Sequence, residues 1–521
     1  MNISQYIIQN ALRQKDVNEK KLDAIKRRAA FKYKVKIPSN INLLQAYHGL
    51  VKTDKSPKLA QLLKTRKVRT LSGIAAITVI TKPYACPGKC IYCPTEIDMP
   101  KSYLANEPAC MRAVLTRFDP YNQTKARLDS LKMTGHSTDK IELIVLGGTW
   151  SYYPRNYQNW FLKRCFDACN GKVSKTLKNA QKRNEIAKNR VIGLTLETRP
   201  DFITEKEVKR LRELGCTRVE LGVQNVYDDV LQKNKRGHGR KEIISATKLL
   251  KNAGFKITYH MMPNLLGSNP KKDEKMFEEL FSNADFQPDQ LKIYPCAVLK
   301  TAPLYKIWKS GKFKPYTQKQ LIDLLIKIKE KIPTYVRIIR MIRDIPAQSI
   351  VAGNKISNLR EIVAREMKKQ NKKCHCIRCR EIRDSKFKIQ NSKLIRRDYN
   401  ASEGREIFLS FEDKKNDKIL AFLRLRLTNY WTLPELKNCA LIRELHTYGE
   451  AVPVAQKIKN AQQHKSLGKQ LMKQAEKITK TETLYKKIAV IAGIGVRQYY
   501  KKLGYKLKES YMVKNLDQIK F

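Results

Sequence analysis

Cys86-Pro87-Gly88-Lys89-Cys90-Ile91-Tyr92-Cys93 sets three thiols on one short loop with the spacing C-x3-C-x2-C. Three thiolates so placed can each ligate one iron of a 4Fe–4S cluster, leaving the fourth iron open to chelate a small molecule. A structural zinc loop is the alternative. It would need a fourth ligand, and no other Cys or His stands between residues 76 and 103. A second group, Cys374-His375-Cys376-Ile377-Arg378-Cys379, reads C-x-C-x2-C. Thiolates this close suit a soft metal, with zinc the default. A closed tetrahedron needs a fourth ligand, for which Cys296 is the first choice and His375 the second. Cys110, Cys165, Cys169, Cys216 and Cys439 read as packed thiols.

Two further segments suit polyanionic or phosphate-bearing ligands. Gln463-His464-Lys465-Ser466-Leu467-Gly468 precedes a helical pattern running to Thr479. Exposed N–H groups at a helix N-terminus bind pyrophosphate. The strand before it, Ile442 to Gly449, could offer backbone to a pantetheine arm. Near the N-terminus, Arg27, Arg28, Lys32, Lys34 and Lys36 cluster beside Phe31 and Tyr33. Cations interleaved with aromatics suit a phosphate backbone with unstacked bases. A solvated helix face followed by a linker is the bland alternative.

The elements that must position these residues follow from the apolar pattern. Residues 1–70 are basic and helical in period. From 71 to 345, short runs rich in Ile, Val and Leu recur at 74–80, 141–146, 191–196, 218–223, 256–261 and 291–294, separated by helical segments. That alternation predicts a parallel sheet with crossover helices, closed fully or partly into a barrel. Barrel chemistry sits at the C-terminal strand ends. Those ends here carry Gly147-Gly148-Thr149, Glu197-Thr198-Arg199, Gln224, His260 and Tyr294-Pro295-Cys296. Residues 171–190 read as a polar surface insertion. Residues 346–398 form a basic connector holding the second cysteine group. Residues 399–521 read as α+β, with strands at 406–411, 418–427, 439–446 and 486–492 and helices at 467–479 and 496–502. No internal repeat is visible.

The chain has 521 residues, with 105 Lys+Arg against 48 Asp+Glu, a formal charge of +57. Folding needs no such excess, because like charges repel in the compact state; a polyanionic partner, nucleic acid first, explains it. Lys- and Ile-rich coding bias is the alternative. No apolar run is long enough for a membrane span. Nor is there an export signal, and the cysteine usage fits a reducing, cytoplasmic setting.

The first cysteine loop, with Tyr92 before its last Cys and a barrel behind it, resembles the radical S-adenosylmethionine superfamily. That resemblance implies that Gly147, Gly148 and Thr149 contact the methionine amino group, and that Glu197, Arg199 and Gln224 face the cofactor at the same level. The Gln463–Gly468 loop, the strand containing Glu444, Leu445, His446 and Thr447, and the segment Gly495 to Tyr505 resemble the GNAT-type N-acetyltransferases. Acetyl-CoA is then expected at Glu444, Leu445, His446, Thr447, Ser466, Leu467, Gly468 and Lys469, with Tyr499 and Tyr500 near the thioester. Ser466 stands where that family carries Gly.

The two together resemble the catalytic subunit family of Elongator. The collinear stretches include Pro100 to Tyr103, Met111 to Ala113, Gly193 to Asp201, Gly222 to Gln224, His260 to Pro263, Leu291 to Pro295, Arg343 to Pro346, Asn358 to Glu361 and Arg443 to His446. Cys93 to Glu96 lacks that family's Gly-Gly, and Asn264 replaces a common Asp. The resemblance implies a partial TIM-like barrel, a zinc-stapled connector and a GNAT-type domain. It implies that a radical derived from S-adenosylmethionine activates the acetyl methyl of acetyl-CoA, and that the product is 5-carboxymethyluridine at the wobble position of a tRNA anticodon loop. Lys140 would contact CoA near the domain junction, and Lys292 would face the radical site. A homodimer and Elongator-like accessory subunits are both compatible with it. A protein lysine acetyltransferase is the alternative, but a +57 chain repels basic tails. A methylthiotransferase would carry a second cluster, and residues 1–70 contain no cysteine.

Overall fold

The computed structural model describes residues 2–50, 56–65, 70, 72–382, 391–449 and 467–517. Four short helices open the chain: α1 (Ile3–Leu12), α2 (Glu19–Tyr33), α3 (Asn40–His48) and α4 (Pro57–Leu63). Each starts at a side chain built to cap it. Asn2, Asn18, Ser39 and Ser56 each accept a hydrogen bond from a first-turn backbone N–H. Their apolar faces close over Ile7, Ile8, Leu22, Leu43, Leu44 and Leu59 as a separate small core. The bundle is tied to the next unit through His136, whose Nε2 lies 2.9 Å from the Thr65 carbonyl and whose Nδ1 lies 2.9 Å from Thr70 Oγ1.

The six expected strands form. They are β1 (Ala75–Ile80), β2 (Lys140–Leu146), β3 (Arg190–Thr198), β4 (Arg218–Gln224), β5 (Lys256–Met261) and β6 (Gln290–Ile293). After them come β7 (Val298–Leu299), β8 (Arg337–Arg340) and β9 (Ile350–Ala352). The parallel sheet runs β1-β2-β3-β4-β5-β6-β8, leaving β1 and β8 as its two edges, so the barrel is partial. β7 and β9 pair antiparallel as a small separate ribbon.

Residues 171–190 are not a surface insertion. Leu177–Asn184 is a helix with Ala180 and Asn184 fully buried. Asn184 Oδ1 accepts from the Val191 N–H, and Glu185 accepts from Arg497, Gln498 and Lys501 at 3.0–3.2 Å. A buried face made of Ala and amide side chains carries no hydrophobic signature, so composition hides it.

The C-terminal sheet consists of β10 (Lys393–Ala401), β11 (Gly404–Asp413), β12 (Lys418–Thr428), β13 (Cys439–Thr447), β14 (Lys487–Val490), β15 (Lys506–Lys508) and β16 (Tyr511–Asn515). It runs β10-β11-β12-β13-β14-β16-β15. Position 398, the expected connector boundary, falls inside β10. β13 and β14 are the one parallel pair in it, and their pairing stops at Ile442 and Val490 while β13 continues to Thr447. The sheet sits against the N-terminal ends of the barrel strands. Gly493 packs so closely there that a Cβ would fall 2.0 Å from the Ile192 carbonyl oxygen. Arg443 bridges the two units, bonding Asp289 at 2.5 Å and Glu406 at 2.9 Å.

Candidate active site

A cavity of about 1030 Å³ runs the length of the barrel lumen. At one end it meets Cys86, Gly88, Cys90 and Cys93; at the other, Glu444, Leu445, His446 and Tyr448 of the C-terminal sheet. The lumen is open because its walls are polar. Successive strand residues point to opposite faces. The outward positions, such as Val219, Leu221, Ile257 and Tyr259, pack in the main core. The inward ones include Glu142, Arg218, Glu220, Lys256, His260 and Lys292. Barrels filled by branched aliphatic side chains have no such channel.

These charges are paired. Glu220 is fully buried and accepts from Lys292 Nζ, while His260 Nε2 lies 3.0 Å away. His260 Nδ1 is 3.5 Å from Glu197, which accepts a 2.8 Å bond from the Tyr103 hydroxyl. Burial opposes charge on Glu220, but Lys292, His260 and Arg218 outweigh it and hold its carboxyl well below the ordinary range. Burial likewise opposes the Lys292 ammonium, and the Glu220 carboxylate overcomes it, so the lysine's pKa is raised. Lys292 therefore presents a fixed positive charge midway along the channel.

The cysteine end fits an iron–sulfur cluster and its cofactor. A Cβ on Gly88 would stand 3.6 Å from both Cys86 Sγ and Cys90 Sγ and 2.5 Å from Arg199 Nη1. Hydrogen bonding to Cys93 pulls the Cys90 thiol down to about 4 against its burial; Arg236, with Nη1 3.5 Å from the sulfur, helps. The same hydrogen bond raises the Cys93 thiol well above its ordinary value, so Cys90 is the readier thiolate of the two. Gly147 and Gly148 take φ values of +140° and +96°, and a Cβ on Gly147 would collide with Thr81 Oγ1. Gln224 holds φ +70° without being glycine. Arg199 Nη1 and Gln224 Oε1 are buried with no hydrogen-bond partner among the described residues. Strained backbone and orphaned polar atoms facing one space are what a missing polar ligand leaves behind. Thr149 and Glu197 line the same space.

At the other end, Gly468 opens the helix Leu467–Glu482. The Cβ position of Gly468 lies 3.4 Å from the Tyr499 hydroxyl, 3.6 Å from Thr447 Oγ1 and 3.9 Å from Leu445 Cδ2. Leu445, Thr447, Gly468 and Tyr499 are therefore neighbours. Lys469 is exposed on the first turn, and Leu467 is buried. Ser466 and Gln463 lie outside the described residues. Tyr500 is buried against Tyr499 and Tyr505, and neither Tyr499 nor Tyr500 is among the cavity's lining residues. Lys140 shares the inward face of Glu142 at the C-terminal-sheet end of β2.

Cys374, Cys376 and Cys379 place their sulfurs within 4.8 Å of one another. Tetrahedral Zn–S bonds of about 2.3 Å set sulfurs a little under 4 Å apart, so the group fits zinc. Cys296 does not complete the zinc group. It is buried in the apolar cluster that also takes in Cys90, Ile91 and Tyr92 of the other loop. His375 faces Asp417 at 3.6 Å instead. Lys329 Nζ stands 3.7 Å from Cys379 Sγ.

On α2, Arg27 and Arg28 are exposed, as are Lys34 and Lys36 beyond its end. Phe31 is 89% exposed between them. Lys32 rests its ammonium 4.7 Å above the Tyr6 ring, and Tyr33 packs edge-on against Tyr6, so that half of the cluster is partly structural. The sequence reading takes His260 only as a strand end and passes over Glu220 and Arg236. The alternation Arg218, Glu220, Gly222, Gln224 within an apolar strand is the signal that marks the lumen.

Residues 80–280 match the pattern of the Radical SAM superfamily, and 288–369 that of the Radical_SAM C-terminal domain. The chain is 46% identical over 519 residues to the "tRNA uridine(34) acetyltransferase" of Methanocaldococcus infernus, covering 96% of each. It is 39% identical over 513 residues to the human "Elongator complex protein 3", covering 95% of this chain and 93% of that one. The solved structure of the archaeal Methanocaldococcus infernus Elp3 lacking residues 1–46 superposes with a TM-score of 0.76 at 44% identity, covering 85% of this chain and 99% of that one.

Proposed function

Because the chain belongs to the radical S-adenosylmethionine family of the tRNA uridine(34) acetyltransferases and Elongator complex protein 3, we propose that it carboxymethylates the wobble uridine of tRNA, with acetyl-CoA as the carbon source. One observation carries this reading: a single channel joins the three-cysteine loop to the strand that ends in Glu444, Leu445 and His446. The 4Fe–4S group that Cys86, Cys90 and Cys93 would hold supplies, with S-adenosylmethionine, the radical that takes a hydrogen atom from the acetyl methyl group. The protein's part is to bind, orient and shield. Gly147, Gly148, Arg199 and Gln224 cradle S-adenosylmethionine. Thr447, Gly468 and Lys469 hold the CoA phosphates and arm, and the open stretch of β13 past Ile442 orients the thioester toward the lumen. Lys292, kept charged by Glu220, attracts carbonyl oxygens of the thioester or uracil. The paired lumen walls keep bulk water from the reacting carbon. An anticodon loop offers an unstacked base at low cost. The zinc group anchors the connector, and the α2 cations meet the tRNA backbone.

The test is anaerobic reconstitution with tRNA, S-adenosylmethionine, reductant and acetyl-CoA, then mass spectrometry of the digested nucleosides. 5-Carboxymethyluridine is expected. Its absence alongside full acetyl transfer to a peptide would favour a lysine acetyltransferase instead.

A further inference from the structure

A row of aromatic rings begins just before the cysteine loop and is open to the surface at both ends. Tyr84, two positions before Cys86, stacks on Tyr153 with centroids 4.9 Å apart. Tyr153 stacks on Tyr157 at 5.2 Å, and Tyr157 meets Trp160 at 5.6 Å. The inner ring is pinned: the Tyr153 hydroxyl lies 2.8 Å from Thr81 Oγ1 and donates to the Lys82 carbonyl at 2.9 Å. The rings at its two ends are open, with Trp160 43% and Tyr84 39% exposed. With Lys82, Pro154 and Asn156 these rings edge a shallow hollow. The Lys82 ammonium stands 5.1 Å from the Tyr157 ring centre, and Arg155 is exposed beside the hollow. Arg155 also acts on the half-buried Glu207, whose charge it favours against burial.

Large exposed rings beside exposed cations mark a surface that meets another molecule. None of the hollow's residues lines the lumen, so the small-molecule substrates do not enter it. We infer that this ledge is the docking surface for an acidic one-electron donor protein carrying a flavin or iron–sulfur group, an assignment that rests on the radical reading above. Its place decides the partner. The ledge starts two residues from a cluster ligand, and a donor must come close because its electron crosses only short gaps. Its charge suits an acidic partner, and weak electron-transfer encounters need only a small contact area. The donor loses one electron and is oxidised by one equivalent; that electron passes to the metal group held by Cys86, Cys90 and Cys93, and no bond is broken at the ledge.

The test uses the full chain, anaerobically reconstituted, with reduced flavodoxin as the protein donor and dithionite as the small one. Variants are Lys82→Glu with Arg155→Glu, and separately Trp160→Ala. Cluster reduction is followed by the loss of visible absorbance. We expect about ten-fold slower reduction by flavodoxin in the charge-reversed variant, with the effect fading at high salt. Iron content, reduction by dithionite and tRNA affinity stay at wild-type values. Equal flavodoxin rates in all forms would overturn the assignment. So would weakened tRNA binding with unchanged flavodoxin rates, which would make the ledge an RNA surface. Lost iron or slowed dithionite reduction would make it a support of the loop and overturn it as well. If dithionite-reduced wild type makes no modified uridine, the failure lies with the functional reading instead.

Discussion

Gly147 is dictated by its backbone, and in the proposed function by its ligand as well. Its φ of +140° lies where L side chains are strained, and Thr81 occupies the space a Cβ would take. Gly147→Ala should cost about 1–3 kcal/mol at this turn, enough to raise the dissociation constant for S-adenosylmethionine about ten-fold, while iron loading is kept. Equilibrium binding against iron content checks this. Lys292 and Glu220 form the other decisive pair. Glu220 is fully buried, so Lys292→Met leaves its charge with only His260 and Arg218 near it. Such a loss costs about 3–5 kcal/mol. Adding Glu220→Gln should recover part of that, since it removes the stranded charge. A double-mutant cycle of denaturation midpoints measures the coupling; additive single costs would contradict the pairing.

At the scale of elements, the barrel strands matter for what they turn inward. β4, β5 and β6 alternate apolar outward residues with charged inward ones, and that inward set builds the channel. The connector matters for what it clamps. The helix Ile377–Arg380 follows Cys376, and the Ile377 N–H donates to the Val336 carbonyl just before β8. Cys376→Ser should therefore release zinc, leave the iron untouched and lower the melting temperature. Metal analysis alongside a thermal melt tests it, and a zinc-free wild type of unchanged stability would refute it. The helix Leu177–Asn184 is a comparable clamp, because Glu185 joins it to Arg497, Gln498 and Lys501.

For the whole molecule, the joint between barrel and C-terminal sheet is ionic and buried. Burial opposes charge on Glu444, but Lys256 and Arg424 hold its carboxyl down to about 2 from an ordinary 4.5. Asp289 and Glu406 are likewise lowered, against burial, with Arg443 the main cause. A carboxylate depressed in the fold adds stability that is full above its unfolded value and is lost as pH falls through the folded one. The joint should therefore weaken between about pH 4.5 and 2. Calorimetry should show barrel and C-terminal sheet melting together at pH 7 and apart at pH 3. A single transition at both would contradict this. The surface charge predicts a second global property. tRNA affinity should fall steeply with salt, since each neutralised phosphate releases counterions. Removing Arg27 and Arg28 together should flatten that slope, as a filter-binding series in salt would show.

Much of this was legible in the order of residues. Both cysteine groups, the six parallel strands and the glycine turn announce themselves locally, because ligand spacing, β-branched runs and left-handed backbone are properties of short segments. The charge of +57 needs no structure either. What the chain order could not express is which residues meet across the fold. Cys296 looked like a zinc ligand and is buried in the apolar cluster of the other loop. Glu220 went unmarked among the acids of the chain and is the hub of the lumen. The tertiary structure decided these, because closing a twisted sheet into a barrel brings alternate side chains from strands far apart in sequence into one space.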